Sequence, residues 1–143
     1  MPYVRVIIHA VWGTKDRKPF LTPEVRAKVI AHIKQNAHSK QIYIDTINGH
    51  IEHMHCLFGL NADISIAKTL QLIKGESSYW INKIGLVNSK FEWADEYYAG
   101  SVSESQIYKV RRYIQDQEEH HRKVSISQEC DEFLSRYGLQ MTR

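Results

Sequence analysis

Gly49-His50-Ile51-Glu52-His53-Met54-His55-Cys56-Leu57-Phe58 places two histidines one residue apart in a run of strand-forming residues. Side chains on a strand alternate faces, so His53 and His55 point one way. Met54, Cys56, Phe58 and Leu60 point the other way, and all four are apolar. The pattern predicts a strand with a packed core behind it and an open polar surface in front. Two imidazoles about 7 Å apart on one strand face can grip one divalent cation. A His-x-His pair also arises by chance. Here the apolar reverse face favours a site, because two histidines on an open sheet face have no packing reason to be there.

Outward from this strand, the neighbouring segments complete a pattern. Tyr3 to Trp12 is rich in β-branched and aromatic residues and reads as a first strand, followed by a basic loop from Lys15 to Pro19. Thr22-Pro23-Glu24 reads as a helix start, with Thr as cap and Pro at the first helical position. That helix is expected to run to about Ser39 on a stripe of Val25, Val29, Ile30 and Ile33. Gln41 to Ile47 alternates as a second strand, Asn48-Gly49 signals a turn, and Ile51 to Leu60 returns as the third.

Asp63 or Ser65 caps a second helix that continues past Gly75 to near Ile81. A short aromatic strand lies within Trp93 to Val102, and Ser103 opens a third helix. Ser127 to Tyr137 is a final amphipathic helix closed by Gly138. The order β-α-β-β-α-β-α-α is that of an α+β, ferredoxin-like antiparallel sheet with helices on one face, extended by a C-terminal helix and a tail helix. Residues 1–143 are expected to form one domain.

Composition narrows the function classes. The chain has 143 residues, 43% hydrophobic and 24% charged, which is ordinary for a globular protein. Its net charge of +3 leans toward an anionic partner. No apolar run approaches the roughly 20 residues of a membrane span. The N-terminus lacks a signal-peptide core, and Cys56 and Cys130 show no framework spacing, so a reducing, cytoplasmic setting is expected.

The third helix carries the other half of the chemistry. Ile107, Val110 and Ile114 form its apolar stripe, while Tyr113 and Gln117 are four apart and share a face roughly 80° away. A carboxamide oxygen can complete a metal ligand set, and a tyrosine can attack whatever the metal polarises. A phenol of pKa about 10 is only about 0.1% ionised at pH 7 and needs roughly 4 kcal/mol of help to act as a nucleophile. Phosphoryl transfer suits such a pair. Lys109, Arg111, Arg112, Arg122 and Lys123 surround the helix and would hold a phosphate backbone.

Taken together, these residues resemble a known family. His53-Met54-His55 is similar to the His-hydrophobic-His motif of HUH endonucleases. Tyr113-Ile114-x-x-Gln117 followed by His120-His121 resembles the active-site helix of single-tyrosine transposases of small bacterial and archaeal insertion sequences, including the REP-associated kind. His9 to Arg17, Leu72 to Ser78 and Phe133 to Leu139 resemble further stretches of that family, in order along the chain.

The resemblance implies an obligate homodimer that cuts and rejoins single-stranded DNA near a hairpin. It implies a 5′-phosphotyrosine at Tyr113 and Mg²⁺ or Mn²⁺ held by His53, His55 and Gln117, with active sites shared between subunits in many members. Lys15, Arg17, Lys74, Lys109, Arg111 and Arg112 are the expected DNA contacts. Glu52 stands where an Asp often precedes the motif, and His50 is an additional nearby imidazole.

Other readings stay open at this level. Cys56 alternates to the core face and reads as a buried small hydrophobe rather than a zinc ligand. Tyr113 is also a normal helix-boundary residue, and Gln117 and the basic cluster are also normal solvated residues. His120 and His121 read as surface residues, or as ligands of a zinc hydrolase with His53 and His55. Trp12, Trp80, Trp93, Tyr97 and Tyr98 can stack on bases or fill the core. Two further rivals are a domesticated relative acting on chromosomal repeat hairpins and a non-catalytic ferredoxin-like nucleic-acid-binding module.

Overall fold

The computed structural model describes residues 3–120 and 126–137. Four strands form one antiparallel sheet: β1 (Ile7–Gly13), β2 (Tyr43–Gly49), β3 (His53–Gly59) and β4 (Tyr98–Val102), in the order β2-β3-β1-β4. Helix α1 (Pro23–Ser39) joins β1 to β2, and α2 (Ile66–Ile84) joins β3 to β4. Helices α3 (Ile107–Gln115), α4 (Gln117–His120) and α5 (Ile126–Tyr137) follow the sheet. This is the expected ferredoxin-like order with its C-terminal additions.

Period-two alternation divides the sheet. Ile8, Ala10 and Trp12 of β1 join Met54, Cys56 and Phe58 of β3 in a core beneath α1 and α2. Val29, Ile33 and Ala37 of α1 and Leu70, Ile73 and Ile81 of α2 fill it. Both helices begin at the expected caps: the Thr22 hydroxyl accepts from the Val25 N–H, and the Ser65 hydroxyl from the Lys68 N–H. α2 passes through Gly75 and ends at Gly85, which takes the left-handed conformation at φ 64°.

The opposite face is covered by the helix that carries Tyr113, supplied by the same chain. Ile107, Val110 and Ile114 of α3 pack on Ile7, Leu57 and Val102. Burying such side chains stabilises by about 1.5–3 kcal/mol each, so α3 gains more by docking on its own sheet than by standing in solvent. Helices therefore cover both faces, and His53 and His55 are 1% and 0% exposed.

Three local expectations also shift. Asn48 and Gly49 are the last residues of β2, and the reversal falls at His50 to Glu52. Gly49 is needed there for space, since a Cβ would strike the His53 carbonyl and lie 2.7 Å from the Met54 sulfur. β1 starts at Ile7 rather than Tyr3, leaving Tyr3 and Val4 exposed. The third helix is broken: Asp116 has φ −95° and ψ 25° and caps α3, and a new turn starts at Gln117.

Candidate active site

His53 and His55 stand on β3 facing α3, as alternation requires. Their neighbour on the same face is His9 of β1, which pairs across the sheet with Leu57 while Val11 pairs with His55. His9, His53 and His55 are all fully buried. Two of the chain's own elements close over them. α4 brings Gln117, 0% exposed, so that its Oε1 lies 3.2 Å from His53 Nε2. Its Nε2 reaches back to the Tyr113 carbonyl at 3.4 Å. Gln117 thus opens the new turn that follows the break at Asp116 and points into the site.

α5 brings Glu129, whose Oε1 lies 3.1 Å from His53 Nε2 and 2.5 Å from His55 Nε2. Glu129 is 2% exposed. A buried carboxylate costs several kcal/mol unless paired, and here two imidazoles meet it. On the far side of His53, Nδ1 lies 2.9 Å from the Glu52 carboxylate, which accepts the ring N–H and leaves Nε2 facing Glu129 and Gln117. Burial opposes a charge on His53, but the hydrogen bonds to Glu129 and Glu52 outweigh it and hold its pKa above the ordinary histidine value. Burial drives His9 the opposite way, well below that value, with His55 and Arg136 adding to the effect.

Tyr113 is half-buried. Its ring centre lies 5.5 Å from that of His55 and 6.2 Å from that of His9, and the Arg136 guanidinium lies 5.6 Å from the ring. Burial, then the hydrogen bond to Glu129, raises its pKa above that of an ordinary phenol. Tyr113, His53, His55 and Gln117, predicted separately from two segments, thus meet within one chain.

The donor set suits a divalent cation. His53, His55 and Glu129 offer ligand atoms that all lie within 4.8 Å of one another, and Gln117 Oε1 adjoins them. Two imidazoles, a carboxylate and a carboxamide make a nitrogen and oxygen donor set without a thiolate. Cys56 contributes nothing here: it is buried on the other face of the sheet, and burial pushes its thiol pKa up. His50 keeps its ring 6.3 Å from that of His53, outside this cluster. The His120 side chain, His121, Arg122, Lys123 and Gly138 lie outside the described residues, and with them the ligands that a zinc hydrolase would add.

Sequence reasoning missed two members of the cluster, Glu129 and His9. Glu129, Phe133 and Tyr137 recur every four residues on one face of α5, which is the signal that an acid shares the helix's buried stripe. His9 shares strand parity with Ile7 and Val11, so a polar residue in an apolar alternation was the available clue.

The basic residues divide by environment. Lys15 and Arg17 lie on a short turn beside a groove that also borders His53, Trp93 and Tyr98. Lys109 and Arg112 are exposed on α3. Arg111 is bidentate to Asp45 at 2.8 and 2.7 Å. The Lys74 ammonium donates to the Ala94 and Asp95 carbonyls. Trp12 and Trp93 belong to the core beneath α1 and α2, while Trp80 packs at its edge and stacks on His32. Among the described residues no helix is long and apolar enough to cross a membrane.

Residues 3–117 match the sequence profile of a family described as Transposase IS200 like. No protein of curated function matches the sequence. Among solved structures, a transposase candidate from Deinococcus radiodurans R1 is similar at TM-score 0.66 and 21% identity, covering 82% of this chain and 95% of that one. A REP-associated tyrosine transposase bound to a REP hairpin is similar at TM-score 0.59 and 18% identity, covering 87% of this chain and 73% of that one.

Proposed function

Because the chain belongs to the IS200-like transposase family, we propose that it cuts and rejoins single-stranded DNA at hairpin-bearing ends, with Tyr113 as nucleophile. His53, His55, Gln117 and Glu129 would hold the metal, Mg²⁺ or Mn²⁺. One observation carries the reading: Tyr113 and Gln117 converge on the histidine pair, with the phenol ring centre 5.5 Å from that of His55 and the carboxamide oxygen 3.2 Å from His53.

The residues divide the work. The cation, when bound, supplies positive charge to the scissile phosphate. Tyr113 Oη attacks phosphorus, and its proton passes to the Glu129 carboxylate to which it is hydrogen-bonded. The bond from phosphorus to the 3′ oxygen breaks, and that oxygen takes a proton from water. The products are a 5′-phosphotyrosine and a free 3′-hydroxyl. Rejoining reverses these bonds, so no nucleotide cofactor is consumed.

Ionising a phenol at pH 7 costs about 4 kcal/mol from its ordinary pKa and more from the raised one here. A neighbouring base is therefore part of the mechanism rather than an accessory. Lys15 and Arg17 flank the groove that reaches His53 and would guide the strand. Lys109 and Arg112 would meet the phosphates of a DNA hairpin, and one structural relative is bound to a REP hairpin. Lys74 and Arg111 are weaker DNA contacts, because their charged groups already have partners. One copy carries a full set of site residues, and a homodimer would carry two.

The test uses end-labelled single-stranded oligonucleotides with a hairpin, incubated with Mn²⁺ or Mg²⁺ and run on a denaturing gel. A covalent adduct is expected with the wild type and none with Tyr113→Phe, which should still bind the hairpin. An adduct formed by Tyr113→Phe, or undiminished cleavage in chelator, would overturn the reading. Metal-independent binding with no adduct from any strand would instead indicate a non-catalytic nucleic-acid-binding module.

A further inference from the structure

His9 belongs to none of the roles above, yet it is fully buried between the metal-facing histidines and the tail helix. Its Nε2 lies 2.9 Å from His55 Nδ1, and its Nδ1 lies 3.1 Å from the Tyr137 hydroxyl. On the opposite side of its ring, His55 turns Nε2 toward Glu129. A hydrogen-bonded chain thus runs from the tail helix through two imidazoles to the ligand cluster. We propose that His9 is a positioning residue that holds His55 in the tautomer and orientation needed to bind the cation through Nε2, and that Tyr137 in turn orients His9. The inference rests on the metal-site reading given above.

Donor counting leaves one arrangement. A histidine that ligates through Nε2 must present a lone pair there, so its only N–H is on Nδ1. His55 Nδ1–H then needs an acceptor, and its partner is His9 Nε2. His9 must therefore carry its own proton on Nδ1, where the Tyr137 oxygen accepts it. Any other proton placement leaves two N–H groups facing each other or removes the lone pair from the site.

The surrounding fold makes room for this chain. Gly100 of β4 is directly opposite His9 in the sheet. A Cβ at Gly100 would run into the Tyr137 ring, so the missing side chain is what lets Tyr137 lie against the sheet and reach His9. Phe133 packs edge-on against His9 at a ring separation of 4.9 Å and limits its rotation. Hydrogen-bond partners of this kind typically change metal affinity by about 10–100-fold.

The experiment measures Mn²⁺ affinity of the full chain by electron paramagnetic resonance, without DNA, alongside metal-free thermal melts. His9→Leu keeps the bulk and removes the acceptor, and it should weaken Mn²⁺ binding by about 10–100-fold. His9→Gln places an oxygen near the position of Nε2 and should recover most of the loss. Equal affinity in wild type and His9→Leu would overturn the positioning role and leave the metal site standing. No Mn²⁺ binding by the wild type would overturn the metal-site reading and this inference with it.

A second readout needs no core variant. In ¹⁵N-imidazole spectra of the Mg²⁺-loaded wild type, His9 should be protonated on Nδ1. Protonation of wild-type His9 on Nε2 would refute the proposed chain even if His9→Leu failed to fold.

Discussion

Glu129 is the residue whose charge matters most to the site. It reaches His53 and His55 from a helix more than seventy residues further along the chain, with His55 74 residues away. Replacing it with Gln keeps its shape and removes its charge. As a direct ligand it should matter more than a supporting hydrogen-bond partner, so Mn²⁺ affinity should fall by more than about tenfold. Gln117→Ala should also weaken binding, but by less, because it removes a neutral donor. Titration calorimetry on the two variants decides the order. Unchanged affinity in Glu129→Gln would remove the tail helix from the ligand set. Tyr113→Phe should abolish the adduct while the variant still binds Mn²⁺, which separates the nucleophile from the ligands.

At the scale of elements, β2 and α3 are joined by a pair that responds to pH. The register of β2 slips between Ile44 and Thr46, and the bulge turns Asp45 toward α3, where Arg111 binds it through two nitrogens. The hydrogen bond to Arg111 holds the Asp45 carboxyl below its ordinary pKa, against the opposing effect of burial. A depressed carboxylate contributes stability that is present above its unfolded value and is lost as pH falls through the folded one. Asp45→Asn should therefore melt lower than wild type at neutral pH, and the gap should close below about pH 4. A gap that stayed constant into acid would mean that the pair does not hold α3. Gly49 sets the neighbouring turn: Gly49→Ala should destabilise by about 1–3 kcal/mol in denaturant melts, since its methyl meets β3 backbone.

At the scale of the molecule, two apolar clusters sit on opposite faces of one sheet, and among the described residues their buried members all precede residue 115. The tail helix adds Phe133 and Tyr137 around His9 and Glu129 at the histidine pair. Deleting residues 126–143 should therefore leave a cooperatively folding chain with a lower Tm, while Mn²⁺ binding falls as in Glu129→Gln. Loss of a cooperative melt would show instead that α5 is required for the sheet to fold. Fold and site thus separate: the sheet with α1 to α3 makes the platform, and the last two helices complete the chemistry.

Local periodicity made much of this legible before any coordinates. Alternation put His53 and His55 on one side of β3 and Met54, Cys56 and Phe58 on the other. The 3.6-residue period found the Ile107, Val110 and Ile114 stripe, and capping residues marked where α1 and α2 begin. Each of these is decided within about ten residues of chain, where geometry alone relates side chains to one another. What periodicity could not supply was the meeting of distant residues. His9 finds His55 across 46 residues and Tyr137 across 128, contacts chosen by strand order and by a space at Gly100. The sequence called for the helix of Tyr113 and Gln117 on the histidine face but did not decide which subunit supplies it, because a helix stripe states that a face is buried without saying against what. Only the tertiary structure, by docking α3, α4 and α5 there, turned a pair of imidazoles into a closed cluster with its own acid, carboxamide and nucleophile.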